Sequence, residues 1–218
     1  MFARALCIAV AMLPGSVAAD ERIVPTRSVG VIHAGASEAG LRTALPEGQV
    51  RRHLRHIGEG YAVCATEIYA GTSRSVLVDW ANGAEYDLSE PGAEADCLSL
   101  ADRAEPALVT IELTTGNALI WRTEQGIGVG MTLTELANLL GRPIDFFACP
   151  CDYGGFISQE ENPLPEGISM RVRFPPDTYR TLAEFVDPEQ DYSLSSSQIP
   201  AEMRSEFVVD QISVEITP

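Results

Sequence analysis

The 218-residue chain contains no lysine and only three histidines, and its Lys plus Arg count of 15 is outweighed by 31 Asp plus Glu, for a net charge of −16. A chain this acidic lacks the concentrated positive face that releases counterions from nucleic acid or meets an anionic lipid surface. Without lysine there is no phosphate-cradling glycine loop ending in that residue. Three histidines leave few bases for Ser–His or Cys–His catalysis, and no Gly-x-Ser-x-Gly elbow occurs; Gly71-Thr72-Ser73-Arg74-Ser75 lacks the second glycine. Beyond the N-terminal segment no apolar run reaches the roughly 18 residues of a spanning helix. The complete use of Arg in place of Lys reads as a coding bias rather than a functional choice.

What is present begins with an address. Arg4 supplies a positive n-region, Leu6 to Leu13 is uninterruptedly apolar, and Pro14-Gly15 breaks the run before Ser16-Val17-Ala18-Ala19. The pattern predicts a secretory signal over residues 1–19, cleaved after Ala19, and hence a periplasmic or secreted protein. Cys7 leaves with it. The four remaining cysteines, Cys64, Cys97, Cys149 and Cys151, are an even count in an exported chain, which favours disulfides in one of three connectivities. Cys64–Cys97 is preferred; it closes a loop of about 34 residues and stabilises by roughly 3–4 kcal/mol on a chain-entropy estimate. Cys149-Pro150-Cys151 then stays open between a structural bridge, a redox or metal pair, and free or cross-paired thiols. Zinc is disfavoured, since no second Cys or His pair lies at ribbon or finger spacing.

The chain also echoes itself. Residues Ile32 to Leu45 align with Ile127 to Leu140 at an offset of 95, with four of fourteen positions identical. Each copy has an extended entry, a glycine, a Ser37 or Thr132 cap and a short helix. Thr132 and Glu135 form a capping box, and Leu133, Leu136, Leu139 and Leu140 repeat at helical spacing until Gly141 and Pro143. In the first copy Glu38 suits the positive end of the helix, Gly40 weakens it by about 1 kcal/mol and Pro46 ends it. Strand patterns follow: Val50 to His56, Gly60 to Tyr69 and Ser75 to Trp80 in the first half, Ser169 to Phe174 and Gln211 to Ile216 in the second. Ala107 to Leu113 and Ala118 to Trp121 flank Thr114-Thr115-Gly116-Asn117 as a strand–turn–strand signal. The expected fold is α+β. Two similar units, residues 20–105 and 106–218, each pack a short helical element on an antiparallel meander, and the acidic segment Asp87 to Glu105 links them; whether they share a core is left open.

This doubled Gly-x-Ser/Thr-x-x-x-Leu pattern with its meanders resembles the small exported bacterial domains of the SmpA/OmlA and β-lactamase-inhibitor-protein type. Trp121-Arg122-Thr123, Gly126 to Gly130, Leu136, Gly141-Arg142-Pro143 and Asp152-Tyr153-Gly154-Gly155 are similar to a set of uncharacterised exported bacterial proteins, over residues 107 to 157. The resemblance implies fold and export and carries over no catalytic residue. Where an aromatic is expected before Asp152, this chain has Cys151.

Asp152-Tyr153-Gly154-Gly155 is the candidate binding segment: two glycines after a tyrosine allow a tight turn that presents an aromatic face, although a turn with Tyr153 packed on a sheet explains the same residues. Arg51-Arg52-His53-Leu54-Arg55-His56 is the one basic cluster, suited to an anionic ligand or acidic partner, or else to offsetting nearby carboxylates. On a strand, His53 and His56 fall on opposite faces, which argues against a shared metal. Asp187, Glu189 and Asp191 have calcium-loop spacing, but Tyr192 and Gln198 stand where the loop needs Gly and Glu. The expected function is that of a non-catalytic binding protein of the bacterial envelope, without cofactor, acting on another envelope or secreted protein. The alternative is a thiol-redox or metal-binding protein that uses Cys149 and Cys151.

Overall fold

A computed structural model describes residues 21–218 apart from 90, 150–153, 160, 161, 163, 176, 177, 183 and 187–191, and without the side chains of 179 and 180. The expected signal segment, Cys151, Asp152, Tyr153 and the Asp187–Asp191 loop therefore lie outside the described residues. The first elements are β1 (Arg22–Val24), β2 (Ser28–Val29), β3 (Ile32–His33), α1 (Glu38–Ala44), β4 (Val50–Gly58), β5 (Tyr61–Ile68), β6 (Val76–Trp80), β7 (Glu85–Asp87) and α2 (Ala93–Ser99). After them come β8 (Pro106–Glu112), β9 (Arg122–Thr123), α3 (Leu133–Leu140), β10 (Asp145–Phe147), β11 (Ile168–Arg173), α4 (Thr178–Leu182), β12 (Ser193–Ser195), α5 (Ala201–Arg204) and β13 (Val208–Glu215).

Helices α1 and α3 form where their caps say they should. Thr132 Oγ1 accepts from the Glu135 N–H at 3.1 Å, while Glu135 Oε2 accepts from the Thr132 N–H at 2.7 Å, so two otherwise orphaned donors are satisfied reciprocally. Gly141 then adopts the left-handed conformation, φ 71°, that lets the last turn close. Leu133 and Leu136 are buried, whereas Leu139 faces solvent. In α1, Ser37 Oγ accepts from the Gly40 N–H at 3.2 Å and Leu41 enters the core.

Alternation builds the main sheet, an antiparallel array of seven strands in the order β11-β13-β8-β6-β5-β4, with β7 also paired to β5. One face contributes Val50, Ile68, Val76, Val78, Val109, Ile111, Ile212, Val214, Ile168 and Met170 to a single core, together with Leu41 of α1 and Leu133 and Leu136 of α3. Strands and core residues thus come from both sides of the expected boundary at 105/106, and the two halves share one sheet. A second sheet, β3-β2-β1-β9, joins the first described strand to β9 in parallel, and β10 pairs with β12. Trp121, fully buried beside Tyr69 at 5.9 Å between ring centroids, donates from Nε1 to the Arg74 carbonyl at 3.1 Å and ties the β5–β6 turn to the entry of β9.

Two expectations change. Ala118 to Trp121 does not return as a strand against β8: the Asn117 side chain accepts from the Thr114 N–H at 2.7 Å and donates to the Glu112 carbonyl at 2.6 Å, a side-chain-closed turn that sends the chain away to β1. The acidic segment after Asp87 is not a plain linker, because it contains α2, whose buried Cys97 is bonded to Cys64 on β5.

Candidate functional site

Cys64 and Cys97 are bridged, with Cα atoms 5.4 Å apart, as the preferred pairing expected. Beside the bridge lies a polar cluster around Glu38, whose side chain is 0% exposed in the first turn of α1. Arg52 of β4 donates through Nε to Oε1 at 2.9 Å and through Nη2 to Oε2 at 2.6 Å. The Arg103 backbone N–H reaches Oε2 at 2.9 Å, and the Thr66 hydroxyl donates to Oε1 at 2.6 Å. That hydroxyl in turn accepts from Trp80 Nε1 at 2.9 Å and Arg103 Nη2 at 3.0 Å, which uses its whole capacity of one donor and two lone pairs. Arg52 also binds the Leu100 carbonyl and Asp102 Oδ1, and Arg103 binds the Cys64 carbonyl. Burial alone raises the Glu38 carboxyl, but hydrogen bonds from Arg52, Thr66 and Arg103 outweigh it and hold the group at about 2. A carboxylate with both oxygens occupied by fixed donors is a poor general base. The cluster is a clamp joining α1, β4, β5 and the segment after α2.

Sequence reasoning read Glu38 only as a helix-end charge and did not find Thr66, Trp80 or Arg103. Their separations of 28 and 65 residues from Glu38, and of 14 between Thr66 and Trp80, leave no local signature.

The basic run occupies β4, where its members do different things. Arg52 enters the clamp; Arg55 forms an ion pair with Asp79 of β6; Arg51 forms none among the described residues. His53 is half-buried and His56 exposed. Among the described residues no group of three or more His, Cys, Asp or Glu is placed to hold a metal.

Of the Cys149 to Gly155 segment, Cys149 is disulfide-bonded and nine-tenths or more buried. Gly155 is wedged between strands: its N–H donates to the Phe147 carbonyl at 2.6 Å and its carbonyl accepts from the Val172 N–H at 2.8 Å. A Cβ there, at φ 85°, would stand 2.0 Å from the Val172 oxygen, so the close approach itself demands glycine. Together with the Phe156–Arg171 bridge, this segment covers the β11 edge of the main sheet.

The face of that sheet turned away from the core has a continuous row running Ser169, Ser213, Thr110, Leu77, Glu67, Arg51 across six strands. Directly opposed side chains share a face, so the register fixes this row. Thr110 and Ser213 are buried by their neighbours and lie within 3.2 Å of each other. Val63, Leu77 and Leu108 are half-buried on this face, and none of them belongs to the core cluster. Ion pairs Arg55–Asp79 and Arg171–Asp210 neutralise charge at two ends of the surface. No protein-family model, curated protein or solved structure matches the chain.

Proposed function

We propose that this is an exported, non-catalytic binding protein of the bacterial envelope, and that the solvent-side face of its seven-stranded sheet is the contact surface. The observation that carries the reading is the set of half-buried Val63, Leu77 and Leu108 around the small buried Ala65, Thr110 and Ser213, on the face turned away from the main core cluster. Such a surface offers apolar area on a rigid frame with Arg55 and Arg171 already paired to Asp79 and Asp210, which lowers both the ordering and the desolvation cost of docking another folded protein. The Cys64–Cys97 bridge accords with an oxidising compartment, and no described helix is long and apolar enough to cross a membrane. Within this reading the two halves are descendants of one helix-plus-meander unit, of the type the sequence resembles, merged into a common sheet.

A second reading uses the Cys149-Pro150-Cys151 pair for thiol chemistry, and Cys149 is in a disulfide. One experiment separates the two. A photoreactive residue in place of Leu108 is expected to give a discrete crosslinked envelope protein that is lost in Leu77→Arg and retained in the Cys149→Ser/Cys151→Ser variant. A product insensitive to Leu77→Arg but lost with the cysteines would transfer the function to the thiols.

A further inference from the structure

The two long edges of the main sheet are treated differently. The β11 edge is covered by residues Gly155 to Ile157, whereas β4, nine residues long at the other end, pairs only with β5. The direction of its free backbone groups follows from the neighbouring ladder. The Cys64 N–H donates to the Ala84 carbonyl and the Leu88 N–H to the Gly60 carbonyl, so the even-numbered residues of β5 bond toward β7. Bonding alternates along an antiparallel strand, so Val63, Ala65 and Glu67 bond toward β4, where the register sets them against Arg55, His53 and Arg51. Arg52, Leu54 and His56 therefore turn their N–H and C=O groups outward. No described turn or loop backbone bonds to those groups; Arg51, His56 and Ile57 are exposed and the other residues from Arg52 to Gly58 half-buried. Only the Val50 carbonyl, at the start of the strand, is taken, by Arg42 Nη1 at 3.1 Å.

An open strand edge is a template for one more strand. Its side chains decide which. On the solvent side β4 presents Arg51, His53 and Arg55, and beyond them Ile57 and, across the hairpin, Tyr61 are exposed at 43% and 41%. A second copy pairing antiparallel about His53 would set Arg51 against Arg55, and like charges directly opposite destabilise a cross-strand pair. In a chain of net charge −16 the one basic run lies on the one long uncovered edge among the described residues, and Arg51 within it has no ion pair there.

We propose that β4 is the docking edge for an extended acidic segment of a partner protein, which adds as a further strand with carboxylates at alternate positions facing Arg51 and His53 and an apolar residue toward Ile57. This rests on the reading of the protein as a binding module and adds to it the mode and the chemistry of the partner. The polar backbone supplies the adhesion and the charges supply register and choice of partner.

The test is selection of displayed nonapeptides on the whole oxidised chain, followed by binding titrations and amide exchange with the selected peptides. The expected result is enrichment of carboxylates at every second position and slowed exchange at Arg52, Leu54 and His56. Affinity should fall about tenfold or more in Arg51→Glu/His53→Glu. That variant, checked for an unchanged melting temperature, should in turn gain affinity for the same peptides with Glu replaced by Arg. Three results overturn the proposal: no peptide is selected, the selected peptides lack an acidic alternation, or their binding is lost in Leu108→Arg and indifferent to the β4 charges. The last would leave the sheet-face reading standing, and the Leu108 crosslink tests that reading independently of all three.

Discussion

Replacing Glu38 by Gln removes one charge from a site that the rest of the chain has been built to neutralise. The wild-type carboxylate takes hydrogen bonds from Arg52, Thr66 and the Arg103 backbone, with Arg103 Nε a further 3.5 Å contact. Its carboxyl is held at about 2 against an ordinary 4.5. That difference corresponds to about 3 kcal/mol of stability supplied by the ionised form. A second route gives a similar magnitude: removing one partner of a buried pair leaves an uncompensated charge and costs about 3–5 kcal/mol, and here two guanidinium groups lose their common acceptor. For a protein of this size such a loss lowers the melting temperature by roughly 6–12 °C. The sign in pH is fixed by the depressed carboxyl. The contribution is complete above about 4.5 and is lost as pH falls from there through about 2. Chemical denaturation of wild type and Glu38→Gln at pH 7, 4 and 2.5 measures it: the two stabilities should differ by about 3 kcal/mol at pH 7 and converge toward pH 2.5. A difference below about 1 kcal/mol at pH 7, or one that does not shrink with acid, would refute the clamp as a source of stability.

Two further outcomes are expected. Replacing Cys64 and Cys97 together by Ser should cost about 3–4 kcal/mol by calorimetry, because the unfolded chain regains a loop of about 34 residues; unchanged stability would mean the clamp alone holds α2 in place. Gly155→Ala should destabilise by at least about 2 kcal/mol and speed amide exchange at Val172, since the new methyl falls on the Val172 carbonyl; a melting curve like that of wild type would show that the segment from Gly155 to Ile157 can lift off the β11 edge at little cost.

The elements most legible in the sequence are those whose signals are complete within a few residues. The Thr132–Glu135 box and Gly141 bound α3 closely, and alternation located β4, β5, β6, β8, β11 and β13 to within a residue or three of their ends. Ser37 did the same for α1. What escaped was set by distant partners. α2 has no side-chain cap and only Cys97 buried, so its helix is held mainly from outside, by the bridge to β5, and its composition reads as a linker. β9 is two residues long and exists because β1, about a hundred residues earlier, lies beside it. The Glu38 clamp was invisible for the same reason. Arg51 to His56 was recognisable as a basic run, but only the register separates Arg52, turned to the clamp, from Arg51, turned to solvent.

The strand order has a consequence for how the molecule comes into being. β13, residues 208–215, is inserted between β8 and β11 and bonds to both. Until that segment arrives, β4 to β8 form an incomplete sheet whose β8 side is open, and β11 has no strand to join. A chain emerging from the ribosome would therefore carry, until its last strand is made, a bare hydrogen-bonding edge flanked by Val109 and Ile111. The closing step is a single long-range insertion, which makes folding slow relative to a protein built from neighbours and leaves the partly emerged chain dependent on shielding from its own kind.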